Sequence, residues 1–221
     1  MTKIKEIFAS IQGEGPYIGY KQVFIRFCNC NLKCNYCDTE FDSNECLNDF
    51  LPSELVEYLK SFENYHSISL TGGEPLLSVD FLKDFLPLIP GKKIYLETNA
   101  TLSDHLKEII DFVDIIAADI KLESATGIKD TYKLHDKFFE VAKQKECFAK
   151  VVFNNSITDE EILVACELAN KYNLLLVLQP AMIEDKMSVS SEFCEEVLDK
   201  FLSHHANTCL IPQVHKFLNV R

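Results

Sequence analysis

The sequence predicts an α/β protein folded as a partial (β/α)6 barrel, a TIM-like arrangement of parallel strands. Three observations predict it. Six short apolar runs are rich in β-branched and aromatic residues, amphipathic stretches of helical period lie between them, and polar or glycine-bearing residues follow most of the runs. An open doubly wound sheet is the alternative that the same alternation allows.

The first run is Gln22 to Phe27, which leads into a cysteine-rich loop. Amphipathic Ser53 to Phe62 precedes the run Ser67 to Leu70, and Thr71-Gly72-Gly73-Glu74-Pro75 follows it. Phe81 to Leu88 separates that run from Lys93 to Glu97, which ends in Glu97-Thr98-Asn99. Asp104 to Phe112 comes before Asp114 to Asp119, and Asp119-Ile120-Lys121 closes it. Phe138 to Lys145 precedes Phe148 to Phe153, and Glu160 to Tyr172 precedes Leu174 to Gln179. The start of that last helix is the sharpest boundary, because Thr158 as cap and Glu161 at the third position form a capping box. Continuous apolar runs belong to strands buried on both faces, and parallel strands of this kind gather ligands at their carboxyl ends. The tail after Asn207, including Ile211 to Lys216, is expected to hold a last strand that closes one edge. With no repeat, low-complexity segment or Gly/Ser linker, residues 1–221 are expected to form a single domain, with a cysteine loop at 28–39 and a tail at 207–221.

Composition narrows the function. Hydrophobic residues make up 47% of the 221 and charged residues 25%, and no apolar run approaches the roughly 18 residues of a membrane span. The amino terminus lacks a secretory signal pattern, and nine cysteines, an odd number, fit a reducing compartment, so the expected location is the cytoplasm. Cys28, Cys46, Cys147, Cys166, Cys194 and Cys209 are dispersed and expected to pack as small hydrophobes. A net charge of −12, with no Lys/Arg stripe to offset it, argues against a nucleic-acid partner.

Cys30, Cys34 and Cys37 stand in the spacing C-x3-C-x2-C. Three close thiolates hold an iron–sulfur cube and leave one iron open to an outside ligand, which a reaction at the cluster requires. A structural zinc site is the alternative, but it needs a fourth ligand and commonly a second cysteine pair, which is missing.

The C-x3-C-x2-C loop after the first run, followed by Gly72-Gly73-Glu74-Pro75 after the second, resembles the radical S-adenosylmethionine superfamily. Ser10-Ile11-Gln12-Gly13-Glu14-Gly15, Asp38-Thr39 and Pro212-Gln213-Val214-His215-Lys216 are similar to segments of the 7-carboxy-7-deazaguanine synthases, and the similarity spans nearly the whole chain. That resemblance implies a barrel of the radical S-adenosylmethionine type and three cofactors: a [4Fe-4S] cluster, S-adenosylmethionine and Mg2+. It implies that Cys30, Cys34 and Cys37 bind the cluster. The cofactor would be lined by Tyr36, Cys37, Asp38, Gly73, Asp119, Ile120, Lys121, Gln179, Pro180, Ala181 and Met182. Ile11, Gln12, Gly13, Arg26 and Thr71 would bind a pterin, and Thr39 would hold Mg2+ with help from the substrate carboxylate. Glu14 is expected to read ring N–H donors rather than sit as a solvated loop carboxylate, and His215 to be a packed or tail-capping histidine without a catalytic role. Asn29 and Tyr36 stand where Gly and Trp are common in the family, both mild changes.

Without the family pattern the same residues have plainer roles. Gly72 and Gly73 serve a tight turn, Asp119 a helix cap, Lys121 a solvated cation and Arg26 a surface ion pair. The implied activity is conversion of 6-carboxy-5,6,7,8-tetrahydropterin into 7-carboxy-7-deazaguanine and ammonia by radical ring contraction, with an electron donor such as flavodoxin or ferredoxin and a homodimeric assembly. Two rivals share the cysteine loop: an activase that installs a glycyl radical on a partner protein, and a non-catalytic iron–sulfur or zinc-binding protein. Gln12-Gly13-Glu14 and Thr39 favour the synthase over the first, and the glycine turn with its polar strand ends favours an enzyme over the second.

Overall fold

A computed structural model describes residues 1–37, 48–183 and 186–221. The chain opens with β1 (Thr2–Ile11), β2 (Lys21–Phe27), β3 (Asn48–Phe50), α1 (Pro52–Leu59), β4 (Ser67–Gly72) and α2 (Val79–Phe85). It continues with β5 (Ile94–Thr98), α3 (Ser103–Ile109), β6 (Ile115–Asp119), α4 (Glu123–Thr126), α5 (Tyr132–Ala142), β7 (Glu146–Phe153) and α6 (Asp159–Tyr172). It ends with β8 (Leu175–Pro180), β9 (Met182–Ile183), β10 (Lys186–Met187), α7 (Ser191–Leu202), β11 (Thr208–Leu210) and α8 (Val214–Leu218).

Among the described residues nine strands form one sheet in the order β3-β1-β2-β4-β5-β6-β7-β8-β11. From β2 to β8 the neighbours are parallel and follow chain order, with helical crossovers between them. Consecutive crossovers of one hand put the crossover helices on one face and curl the sheet, so the expected partial barrel is the architecture found.

The pleat sorts side chains between the two faces. Val23, Ile25, Leu70, Leu96, Ile116, Val151 and Leu178 point outward and pack with Phe85, Leu106, Phe138, Phe139 and Leu168 of the helices in a cluster that runs from Ile4 to Phe201. The alternate residues Tyr95, Ile115, Ala117, Phe148 and Val177 form a second, smaller cluster that plugs the inside of the barrel, with Tyr17 against it. Farther along the same strands the inward positions turn polar: Arg26, Thr71, Glu97, Asp119, Lys150 and Gln179. Two residues of one strand thus serve two different environments, as a period of two requires.

The expected runs match the strands to within two residues at each end, and α6 carries the expected capping box: Glu161 N–H donates to Thr158 Oγ1 at 3.2 Å, and Thr158 N–H to Glu161 Oε2 at 3.0 Å. α5 begins six residues before the expected helix, because polar Lys133, Asp136 and Lys137 form its outer face and weaken the apolar signal. β1, which composition left unassigned, is antiparallel to β2 and stacks Phe8 on Phe24 at 5.2 Å between ring centroids. In the tail the strand is β11, which adds to the β8 edge in parallel, while Val214 to Leu218 turn into α8.

The four cysteines Cys147, Cys166, Cys194 and Cys209 are free thiols, Cys166 and Cys194 buried. Cys28 departs from the expected packing thiol: it is buried as foreseen but disulfide-bonded, since spacing in sequence does not reveal which cysteines the fold brings together. Cys46 lies outside the described residues. No helix among the described residues is long and apolar enough to cross a membrane.

Candidate active site

The cysteine loop is laid across the end of β4 by backbone contacts that only glycine tolerates. Gly73 N–H donates to Phe27 O at 3.0 Å and Glu74 N–H to Asn29 O at 2.9 Å. A Cβ on Gly73 would stand 1.9 Å from Asn29 O, and Gly72, at φ +113°, would place one 2.3 Å from Phe27 O. Gly73 was expected to admit the cofactor closely; the structure shows that it first admits the cysteine loop. Asn29 uses the left-handed region expected of it, at φ 67°.

Cys30, Cys34 and Cys37 line one chamber of about 130 Å3, facing Gly73, Asn99 and Lys121. Leu32 N–H donates to Cys30 Sγ at 3.4 Å and the Asn99 amide to the same sulfur at 3.8 Å. Burial pushes the Cys30 and Cys34 thiols above their ordinary range, and at Cys34 the nearby Lys121 charge partly opposes this. Thiols of this kind become ligands when a cationic centre displaces their protons. Among the described residues no three His, Cys, Asp or Glu side chains converge as on a single ion. The donors ring a chamber instead, and three sulfurs with N–H donors aimed at one of them fit a three-cysteine iron–sulfur cluster.

A second chamber of about 270 Å3 opens from the first and shares Tyr36, Cys37, Thr71, Gly72, Glu97, Asp119 and Lys150 with it. Its volume is close to the lower end of small-molecule sites, about 300 Å3. Thr71 Oγ1 and Gln12 Nε2 donate to the Glu97 carboxylate at 2.9 and 2.8 Å, and Gln12 Nε2 also reaches Gln22 Oε1 at 3.1 Å. Lys150 pairs with Glu14 and lies 3.3 Å from Asp119, while Lys121 bridges Asp119 at 2.6 Å and the Tyr36 hydroxyl at 2.9 Å. Arg26 pairs with Glu6 at 2.7 Å and lies over Phe8.

Buried charges in such a network hold one another ionised. Burial pushes the Glu14 carboxyl upward, but the Lys150 charge overrides it and holds Glu14 below the usual range. Glu97 is raised by burial in spite of Lys150. The Gln179 carboxamide oxygen is buried with no partner among the described residues, and it faces the second chamber.

The expected site residues fall accordingly. Ile11, Gln12, Gly13, Glu14, Arg26 and Thr71 line the second chamber, as do Tyr36, Cys37, Asp119 and Gln179 to Met182. Gly73 and Lys121 line the first. Ile120 does not face either: its side chain sits in the helix-facing core at 3% exposure, as the pleat demands of the residue after inward Asp119. Asp38 and Thr39 lie outside the described residues. His215 packs on Gly13, where a Cβ would meet its ring at 2.4 Å, and it also lines the second chamber. Glu97 was marked only as a polar strand end, with no role, and Lys150 was missed; the available signal at Lys150 was a lone charge inside an apolar strand run, facing the barrel interior.

A family model for the radical SAM superfamily matches residues 24–179. A 7-carboxy-7-deazaguanine synthase from Geobacter sulfurreducens is 36% identical across 98% of this chain and 97% of its own length. The chain belongs to the radical SAM superfamily, in the 7-carboxy-7-deazaguanine synthase family. A further 7-carboxy-7-deazaguanine synthase, from Archaeoglobus fulgidus, is 35% identical over 98% of this chain and 97% of the relative. The crystal structure of QueE from Escherichia coli shares the fold, with a TM-score of 0.62 at 17% identity over 97% of this chain and 94% of that one. As a radical SAM protein it uses a [4Fe-4S] cluster and S-adenosylmethionine, and the three-thiol chamber supplies the ligand set such a cluster takes.

Proposed function

We propose that the protein is a 7-carboxy-7-deazaguanine synthase, converting 6-carboxy-5,6,7,8-tetrahydropterin into the deazapurine and ammonia. The observation that carries this is the pair of joined chambers, three thiols around one and a charged, polar lining around the other, sharing a wall that includes Tyr36, Thr71, Glu97 and Lys150.

Cys30, Cys34 and Cys37 would hold the cluster, while Gly73, Asp119, Lys121 and Gln179 to Met182 would seat S-adenosylmethionine. S-adenosylmethionine bound beside the reduced cluster would supply the chemistry of hydrogen-atom abstraction from the substrate. Gln12, Thr71 and Glu97 are already linked to one another and present donors and a buried carboxylate to the pterin ring. Arg26 offers a planar cation for the substrate carboxylate, and Glu14 is held ionised by Lys150. Buried, pre-paired groups exclude water and cost little reorganisation as charge moves on the substrate. Thr39 would hold Mg2+ together with the substrate carboxylate, a flavodoxin- or ferredoxin-type protein would deliver the electron, and the protein would act in the cytoplasm as a homodimer.

Anaerobic reconstitution followed by reduction and addition of S-adenosylmethionine, Mg2+ and 6-carboxytetrahydropterin should yield 7-carboxy-7-deazaguanine by mass spectrometry. Release of 5′-deoxyadenosine without the deazapurine would keep a radical enzyme but reject this substrate.

A further inference from the structure

Asn99 lies just beyond β5, and no step above uses it. It is 6% exposed and gripped from several sides. Its N–H donates to Glu74 Oε2 at 2.7 Å, and Glu74 is fully buried and also takes the Thr98 hydroxyl at 2.9 Å. The next residue, Ala100, is fully buried in the left-handed region at φ 56°, and its carbonyl lies 3.1 Å from His135 Nδ1. Lys121 N–H donates to the other ring nitrogen of His135 at 3.0 Å, so Nδ1 carries the proton that goes to Ala100. The turn is therefore fixed by Glu74, just beyond β4, and by His135 of α5.

The side chain of Asn99 is fixed in orientation as well. Thr101 donates to its oxygen twice, from the hydroxyl at 2.6 Å and the backbone at 3.2 Å. The amide nitrogen consequently points the other way, 2.8 Å from Asn31 Oδ1 and 3.8 Å from Cys30 Sγ. Asn31 Nδ2 donates to Thr101 Oγ1 at 2.9 Å, which closes a ring of three side chains, each donating to the next. The backbone N–H of Thr101 sets the sense of this ring: were the Asn99 amide flipped, its NH2 would face that fixed donor.

We propose that Asn99, oriented by Thr101 and Asn31, is a positioning residue that donates a hydrogen bond to the Cys30 sulfur and thereby raises the reduction potential of the cluster. A donor on a thiolate sulfur stabilises the more negative reduced state, and hydrogen bonds to sulfur are among the levers that set iron–sulfur potentials. The proposal rests on the assignment of Cys30 as a cluster ligand.

The test is an EPR-monitored redox titration of the reconstituted holoprotein, without pterin or S-adenosylmethionine, on wild type, Asn99→Asp and Thr101→Val, with iron content and thermal melting measured in parallel. Aspartate keeps the shape of Asn99, removes the N–H donor and adds a charge that itself lowers the potential, so uncharged Thr101→Val is the control for the hydrogen bond alone. Asn99→Asp should lower the ratio of reduced to oxidised cluster at a fixed potential about tenfold, equivalent to about 59 mV for one electron, and Thr101→Val should shift it the same way by less. A wild-type potential and spectrum in Asn99→Asp would overturn the proposal. Should Asn99→Asp fail to retain iron, Thr101→Val decides: a shift to lower potential supports the role, and an unchanged potential rejects it. A wild-type protein that binds no cluster would instead count against the proposed function, so the two failures are distinguishable.

Discussion

At Gly73 the missing Cβ is what lets the cysteine loop close over β4, with Asn29 O where a methyl group would otherwise sit. Gly73→Ala should displace Asn29 and Cys30 and lose most iron after reconstitution, while far-ultraviolet circular dichroism stays near wild type; full iron content would show that the loop can shift. Lys150 is the buried cation that Glu14, Glu97 and Asp119 share. Lys150→Met should lower kcat/KM at least ~100-fold, as loss of a buried charge partner leaves uncompensated carboxylates. Because Lys150 holds Glu14 low, the acid limb of the pH–rate profile should also move to higher pH in that variant. His135 is also shifted downward, but in favour of its neutral form. Burial depresses it to about 4 from an ordinary value of 6.5, so the unfolded chain binds more protons between those limits. Stability owed to neutral His135 is complete above pH 6.5 and is lost as pH falls toward 4, amounting to ~3 kcal/mol at most. Urea midpoints across that range should depend less on pH in His135→Gln, and an equal dependence would reject the assignment.

At the scale of elements, the cap of α6 is the feature most cleanly separable from the site. Thr158→Ala should cost about 1 kcal/mol, read from the denaturation midpoint, and leave turnover unchanged. This helix start and the six parallel strands were legible because their signals are local: a capping box spans four residues, and a strand buried on both faces shows as an unbroken apolar run. β1 was not, since it is an antiparallel strand near the edge with Ile4 and Phe8 buried and Lys3, Lys5 and Glu6 near solvent, and its partner β2 lies beyond a turn. α7 was passed over although Ser190 caps it by accepting from Phe193 N–H at 3.2 Å, because Glu195, Glu196, Asp199 and Lys200 dilute its apolar face. The chemistry was legible where residues adjoin in sequence, as in the cysteine triplet and Gly72-Gly73. Glu97 and Lys150 needed register, because only the pleat tells which way a lone charge in a strand points.

Across the whole molecule, the tail seals one side of the second chamber. Val214 N–H donates to Gly13 O at 2.9 Å, Gln213 Nε2 to Glu14 at 2.7 Å, and Arg221 pairs with Glu6 of β1. Removing residues 213–221 should raise KM for the pterin at least ~10-fold yet spare iron binding, because Cys30 and Cys34 line the chamber on the other side of Thr71 and Glu97. Loss of iron as well would mean that the tail supports the barrel as a whole. The alternation along each strand reaches further than the site it builds. In β7, Ala149, Val151 and Phe153 hold the helices while Lys150 between them faces the chamber. Neighbouring codons are therefore under separate kinds of selection, one set screened through cellular abundance and the other through product formed. A lineage could exchange what it recognises by substituting every second residue near the strand ends, without touching the positions that keep the chain folded.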